Sequence, residues 1–324
     1  MMQKRIVWID WAKALGILLV VMGHSNYTCQ QIVPMIFMIH MPLFFFVSGY
    51  LFKFSKSWEQ LNKSVIKTLL IPYLLFNFIY LVYAVVVGVI KQTQNIPFDW
   101  YSSVFKLIIG TFCGIPLDLF CGVTWFLLAL VWCKYIATAL VKFYIYVRLC
   151  MVIILVALLL YIQFVDTLLP LALNGGLSGA LWFVWGGVSK HYIRGVSKTL
   201  LYSFIPIGFV ICYIVCNYQG NCNYLTGNLN GLLGLIGTGA GLLSFFSICK
   251  LLSRYCPALI IRVSSASIAI MCLHMLVMSP FEKITHYQNH LVVTFLGDLF
   301  IVLLITGIYP ILQKKIPLLV GHRN

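Results

Sequence analysis

The chain of 324 residues is 62% hydrophobic and only 9% charged, with a mean hydropathy of +0.99. Soluble domains hold roughly 45–50% apolar residues, so this composition excludes a soluble globular domain and indicates an integral membrane protein. Lys and Arg outnumber Asp and Glu 22 to 7, for a net charge of +15, and the placement of those charges decides between nucleic acid and membrane topology as their cause.

A helix needs about 20 apolar residues to cross a bilayer. Ten stretches qualify: 7–27, 33–52, 69–90, 120–141, 148–165, 168–189, 200–216, 229–249, 263–280 and 291–312. A further apolar stretch at 104–115 is too short to span and reads as re-entrant or interfacial. The expected fold class is all-α, a polytopic membrane protein of about ten transmembrane helices. No repeat, linker or low-complexity segment divides it, so a single transmembrane domain over 1–324 is expected.

The first span follows MMQKR and is similar to a secretory signal, yet Asp10 and Lys13 interrupt its apolar run and no small-residue cleavage site precedes the second span. It is expected to be a retained helix. At 100° and 1.5 Å per residue, Lys13 and His24 lie within about 20° of one stripe and roughly 16 Å apart along the axis. Asp10, three residues before Lys13, falls on the same side, and Gly16, Val20 and Gly23 keep that face narrow. Ionisable groups at membrane depth point into the bundle or into water, so this face calls for a partner or a cavity. The distance means that Asp10 and Lys13 serve a different part of any site than His24 does.

The second span, MIFMIHMPLFFFVSGY, carries His40, and the ninth carries His274 in SSASIAIMCLHM. With strict alternation from a cytoplasmic amino terminus, His24, His40 and His274 come to rest at comparable depth in the outer half, which suggests a shared polar pocket. No ligand spacing supports a metal there, and none is expected. Between spans two and three, KFSKSWEQLNKSVIK gathers Lys53, Lys56, Lys63 and Lys67 against a single Glu59. Such a cluster either serves topology and lipid headgroups or seats an anionic, phosphate-bearing cofactor.

The same alternation puts 19 of the 22 basic residues inside, leaving Lys91, Lys106 and Lys283 outside. This fits the positive-inside rule with both termini cytoplasmic, so the net charge reflects topology and no nucleic-acid partner is expected. The outer connection NYQGNCNYLTGNLN, 217–230, has turn signals and no charge; it is either a surface for a neutral ligand such as a sugar or simply a loop. Most of the eleven cysteines fall inside spans, where they pack as small hydrophobes.

Taken in order, Asp10, Lys13, Ile17 and His24 as D-x-x-K-x-x-x-I with a closing His, IHMPLFFFVSGYLFK at 39–53, LLIPYLL at 69–75, TWFLLAL at 124–130 and the SxSIAIxxLH pattern at 265–274 resemble membrane acyltransferase family 3, in its fucose O-acetylase-like branch. The resemblance implies about ten transmembrane helices, acyl-CoA as donor and a sugar hydroxyl as acceptor, often on a surface polysaccharide. The family's essential first-helix histidine falls on His24. Many members carry Arg eleven residues earlier, where Lys13 keeps the charge but lacks the bidentate fork.

Moving an acetyl group from a thioester to a hydroxyl needs a base, and histidine titrates in a suitable range. His24 is the expected base, or alternatively a transient acetyl carrier. Asp10, Lys13, Lys53, Lys56, Lys63 and Lys67 are the expected seat of acetyl-CoA, and His40, Ser48, Trp125 and His274 the expected substrate pocket. Trp125 and Trp182 either stack on sugar or anchor the chain at the membrane interface. Asp99, Asp118, Asp166, Glu282 and Asp298 are the outer-half carboxylates available to orient His24, and no motif selects among them. Expected partners are acyl-CoA, a glycan acceptor and membrane lipids, in a multi-pass protein of the bacterial inner membrane. The alternatives are an exporter of a polysaccharide or lipid-linked sugar, though no paired broken helices support it, and a structural membrane subunit.

Overall fold

The computed structural model describes residues 5–25, 32–54, 57–113, 121–165, 168–190, 192–220, 222–286, 288 and 290–321. The helices are α1 (Val7–Gly23), α2 (Val33–Leu51), α3 (Trp58–Val65), α4 (Ile71–Thr93), α5 (Lys106–Cys113), α6 (Trp125–Lys142), α7 (Ile145–Val165), α8 (Leu173–Val188), α9 (Lys198–Gln219), α10 (Gly231–Leu252), α11 (Ala258–Thr285) and α12 (Leu291–Lys315). Among the described residues the only β pairing outside helices is an isolated bridge between Asn223 and Asn228. Nine described helices are long and apolar enough to cross a membrane. With α1, which has 17 residues, they account for the ten expected spans, and the short stretch at 104–115 falls largely on α5.

The third span is longer than its apolar core. Trp58–Thr93 is one continuous helical run of 36 residues. It starts at a capping box, in which Ser57 Oγ accepts from Gln60 N and Gln60 Oε1 accepts from Ser57 N. A π-helical turn at Ile66–Leu70 leads into Pro72. Proline has no N–H for the carbonyl four residues back, and a widened turn at that point absorbs the mismatch.

α2 lies at the centre, with Met38, Leu43, Phe45 and Phe46 fully buried. Glycines let α8 approach it: a Cβ on Gly49 would stand 1.8 Å from Phe183 O, and one on Gly186 2.0 Å from Phe46 O. Without a hydrophobic drive between helices in lipid, such small-residue contacts are what bring two backbones together. α7 is the contrast, exposing Leu149, Ile153, Ile154 and Leu160 along its length, as a helix facing acyl chains does. Cys133, Cys212, Cys216, Cys249 and Cys272 are buried and unbridged.

α1 packs between α2, α10, α11 and α12. It runs parallel to α11, touching it near one end through Asp10 and Ser264, whose Oγ donates to Asp10 Oδ1 at 2.7 Å, and near the other through His24 and His274. The two ends of the bundle are thus distinguished by what α1 brings to each.

Candidate active site

α1 stops at Gly23, and His24 occupies the capping position with φ −102° and ψ −2°. Its Nδ1 lies 2.8 Å from Val20 O. A carbonyl only accepts, so Nδ1 carries the proton and the neutral ring holds its lone pair on Nε2. His40 repeats the arrangement, with Nδ1 2.6 Å from Ile36 O. His274 does so a third time, with Nδ1 2.8 Å from Met271 O and 3.1 Å from Ile270 O. Each ring is oriented by the carbonyls of its own helix.

The three rings share one cavity of about 490 Å³, walled also by Phe37, Trp125 and Tyr224. His24 and His274 meet edge to face with centroids 5.0 Å apart, and Phe37 bridges His24 and His40 at 6.3 and 5.2 Å. The seat of Trp125 depends on α8, since a Cβ on Gly175 would stand 2.4 Å from Trp125 Cζ3. Tyr80 fixes α11 two residues before His274 by donating to Cys272 O at 2.6 Å.

The charge-free connection supplies the remaining wall through Cys222, Asn223, Tyr224 and Leu225; Asn221 lies outside the described residues. It is tied down at several points. Asn223 Oδ1 accepts from Leu225 N and Thr226 N, an Asx turn. The buried Asn174 accepts from Leu169 N and donates to Thr226 O. Trp182 Nε1 donates to Tyr224 OH at 3.0 Å, and that hydroxyl donates to Thr238 Oγ1 at 3.3 Å. Trp182 is therefore buried and holds the loop; it neither anchors the chain at the interface nor walls the cavity.

A family model described as an acyltransferase domain matches residues 6–312. The chain belongs to membrane acyltransferase family 3. No curated relative and no solved structure matches it. In this acyltransferase the cavity brings histidine rings together between aromatic walls and an uncharged loop. Among the described residues no group of three or more His, Cys, Asp or Glu is placed to hold a metal ion.

The residues expected to seat the donor lie elsewhere in this acyltransferase. Asp10 is committed to the fold: Arg5 Nε and Nη2 donate to its two oxygens at 2.7 and 3.0 Å, and Ser264 donates to it as well. Lys13 is half-buried, and among the described residues it makes no hydrogen bond or ion pair. The cavity reaches down to Val20 and Met41 but is not walled by Lys13. The small residues that were to keep the stripe narrow are filled from α2, since a Cβ on Gly16 would stand 2.7 Å from Leu43 Cδ2 and one on Gly23 3.1 Å from Ile36. The stripe is a packing seam along most of its length.

Lys53, Lys63 and Lys67 are exposed, and Lys63 pairs with Glu59 at 2.6 Å; Lys56 lies outside the described residues. Ser48 stands eight residues beyond His40 on α2, about 12 Å along the axis, and is not part of the cavity wall. Of the described carboxylates named above, Asp298 is tied to the residue that follows His24. It is 1% exposed and accepts from Ser25, the residue after His24, with Oγ 2.7 and 2.6 Å from its two oxygens. Glu282 accepts from Gln288 N and holds the α11–α12 turn, and Asp99 lies between α4 and α5. Asp118 and Asp166 lie outside the described residues. Sequence reasoning sought a carboxylate to orient His24 and passed over Val20 O, which any helix offers to a residue four positions on.

Proposed function

We propose that this family 3 protein is a membrane O-acyltransferase that moves an acetyl group from acetyl-CoA to a hydroxyl of a sugar, on a surface polysaccharide or its precursor, with His24 as general base. The observation that carries the reading is the orientation of His24: with Nδ1 donating to Val20 O, Nε2 is the nitrogen left for the reaction, on the wall of a cavity large enough for a sugar ring. Nε2 takes the proton of the hydroxyl as its oxygen attacks the thioester carbonyl. The tetrahedral adduct collapses by breaking the C–S bond, and the proton on Nε2 passes to the departing CoA thiolate. The ring ends as it began.

In this reading the chain works as one domain over 1–324 in a bacterial inner membrane, with both termini and the lysine end in the cytoplasm. Lys13, Lys53, Lys56, Lys63 and Lys67 then meet the phosphates of CoA from the side where acetyl-CoA is made. The 19 to 3 division of basic residues supports that orientation. Reporter fusions after residues 60 and 195 are expected to read cytoplasm and one after residue 222 exterior. The enzymatic test is to incubate membranes with radiolabelled acetyl-CoA and follow label into glycan. Wild-type membranes transfer label, His24→Ala membranes with equal protein do not, and failure of the wild type to label any glycan contradicts the acceptor assigned here.

A further inference from the structure

The mechanism uses one ring nitrogen, and a second histidine of the cavity wall carries another that is unsatisfied among the described residues. His274 is 0% exposed and its Nε2 has no hydrogen-bond partner among the described residues. A buried polar atom left unpaired is costly and rare. Its Nδ1 is already engaged with Ile270 O and Met271 O, so the unpaired atom is a lone pair that can only accept. Its ring packs against that of His24, centroids 5.0 Å apart, and His274 is one of the residues walling the same cavity. Tyr80, donating to Cys272 O, holds the stretch of α11 that carries it. The site therefore has two adjacent acceptors on separate helices.

Resting on the acyl transfer read above, we infer that His274 Nε2 accepts a hydrogen bond from a second hydroxyl of the acceptor, adjacent to the one that is acetylated, so that the enzyme selects a vicinal diol. Two hydroxyls on neighbouring ring carbons, each within one hydrogen-bond length of its nitrogen, span the His24 and His274 pair. One is deprotonated at His24 and the other stays intact at His274. A sugar lacking the second hydroxyl leaves Nε2 unpaired in the complex. Sites built to bind a hydroxyl reject the analogue without it far more strongly than apolar pockets reject an added group.

The test uses the full-length protein in membranes with acetyl-CoA and a panel of methyl hexopyranosides with their monodeoxy analogues. For the glycoside the wild type acetylates best, removing one hydroxyl next to the acetylated position is expected to lower kcat/KM by about tenfold or more. In His274→Ala the same pair of acceptors is expected to differ by less than about twofold, while activity on the parent glycoside falls to that of the deoxy sugar. His274→Gln, whose amide oxygen can stand where Nε2 was, is expected to recover part of the discrimination. Unchanged discrimination in His274→Ala, or in His274→Leu should the Ala variant fail to insert, overturns the inference and leaves the role of His24 intact. Transfer to none of the glycosides by the wild type contradicts the sugar acceptor itself, and the inference with it.

Discussion

The histidines at one end of α1 and the lysines near the other are held in opposite ways. At the histidine end every ring has a fixed tautomer, the loop that closes the cavity is pinned by Asn174, Trp182 and Thr238, and Ser25 is held by the buried Asp298. At the lysine end Asp10 is held by Arg5 and Ser264, but Lys53, Lys63 and Lys67 are exposed, and the one ion pair among the described lysines, Lys63 with Glu59, is a surface pair of two exposed residues. Chemistry that must place a proton within a fraction of an ångström needs prebuilt geometry, whereas holding phosphates needs charge more than position. Under the proposed function, the difference separates a site for reaction from a site for capture.

The comparison breaks most visibly at His24. His24→Ala removes the only nitrogen the mechanism employs as a base, and transfer is expected to fall by about 10²–10⁴, checked as initial rate per amount of inserted protein. At the capture end, Lys13→Ala is expected to raise KM for acetyl-CoA by about tenfold, the scale of one charge-assisted hydrogen bond. Lys13→Arg is expected to stay near wild type, and rising salt should weaken competition by free CoA. Asn174→Ala sharpens the contrast from the reaction side: it unpairs Leu169 N and Thr226 O, so a loss of about 1–3 kcal/mol in stability and a higher KM for the acceptor are expected, with KM for acetyl-CoA unchanged. Thermal unfolding in detergent and two-substrate kinetics measure the two parts. The smallest effect is expected at Lys63, whose exposed pair is worth about 0–1 kcal/mol; Lys63→Ala is expected to move KM for acetyl-CoA by less than about fivefold.

Much of this was legible in the sequence because lipid imposes strong patterns. A bilayer demands long apolar helices and sorts basic residues to one side, so the ten spans could be placed from hydropathy together with the charge pattern, and strict alternation put His24, His40 and His274 at comparable depth. What stayed hidden depended on which face of each helix meets which neighbour. Ser48 shares a motif with His40 but lies about two turns away. Asp10 reads as a polar member of the stripe, yet Arg5 and Ser264 consume it. Gly16 and Gly23 suggest a passage, but in a packed bundle a glycine is more often where a neighbour's side chain enters, here Leu43 and Ile36. The lack of charge in 217–230 left open a ligand-facing surface or a plain loop, and composition could not say that 222–225 wall the cavity. The orientation of His24 by a backbone carbonyl leaves no mark on the sequence at all.

The division between reaction and capture is tested most directly by measuring kcat and KM for acetyl-CoA side by side in His24→Ala and Lys13→Ala, in the same detergent preparation and at saturating acceptor. The account predicts a clean split: His24→Ala loses kcat with KM for acetyl-CoA within about twofold of wild type, and Lys13→Ala keeps kcat while its KM rises. The reverse pattern, with Lys13→Ala losing kcat at unchanged KM or His24→Ala losing only donor affinity, would contradict it and place the reacting centre at the lysine end of α1.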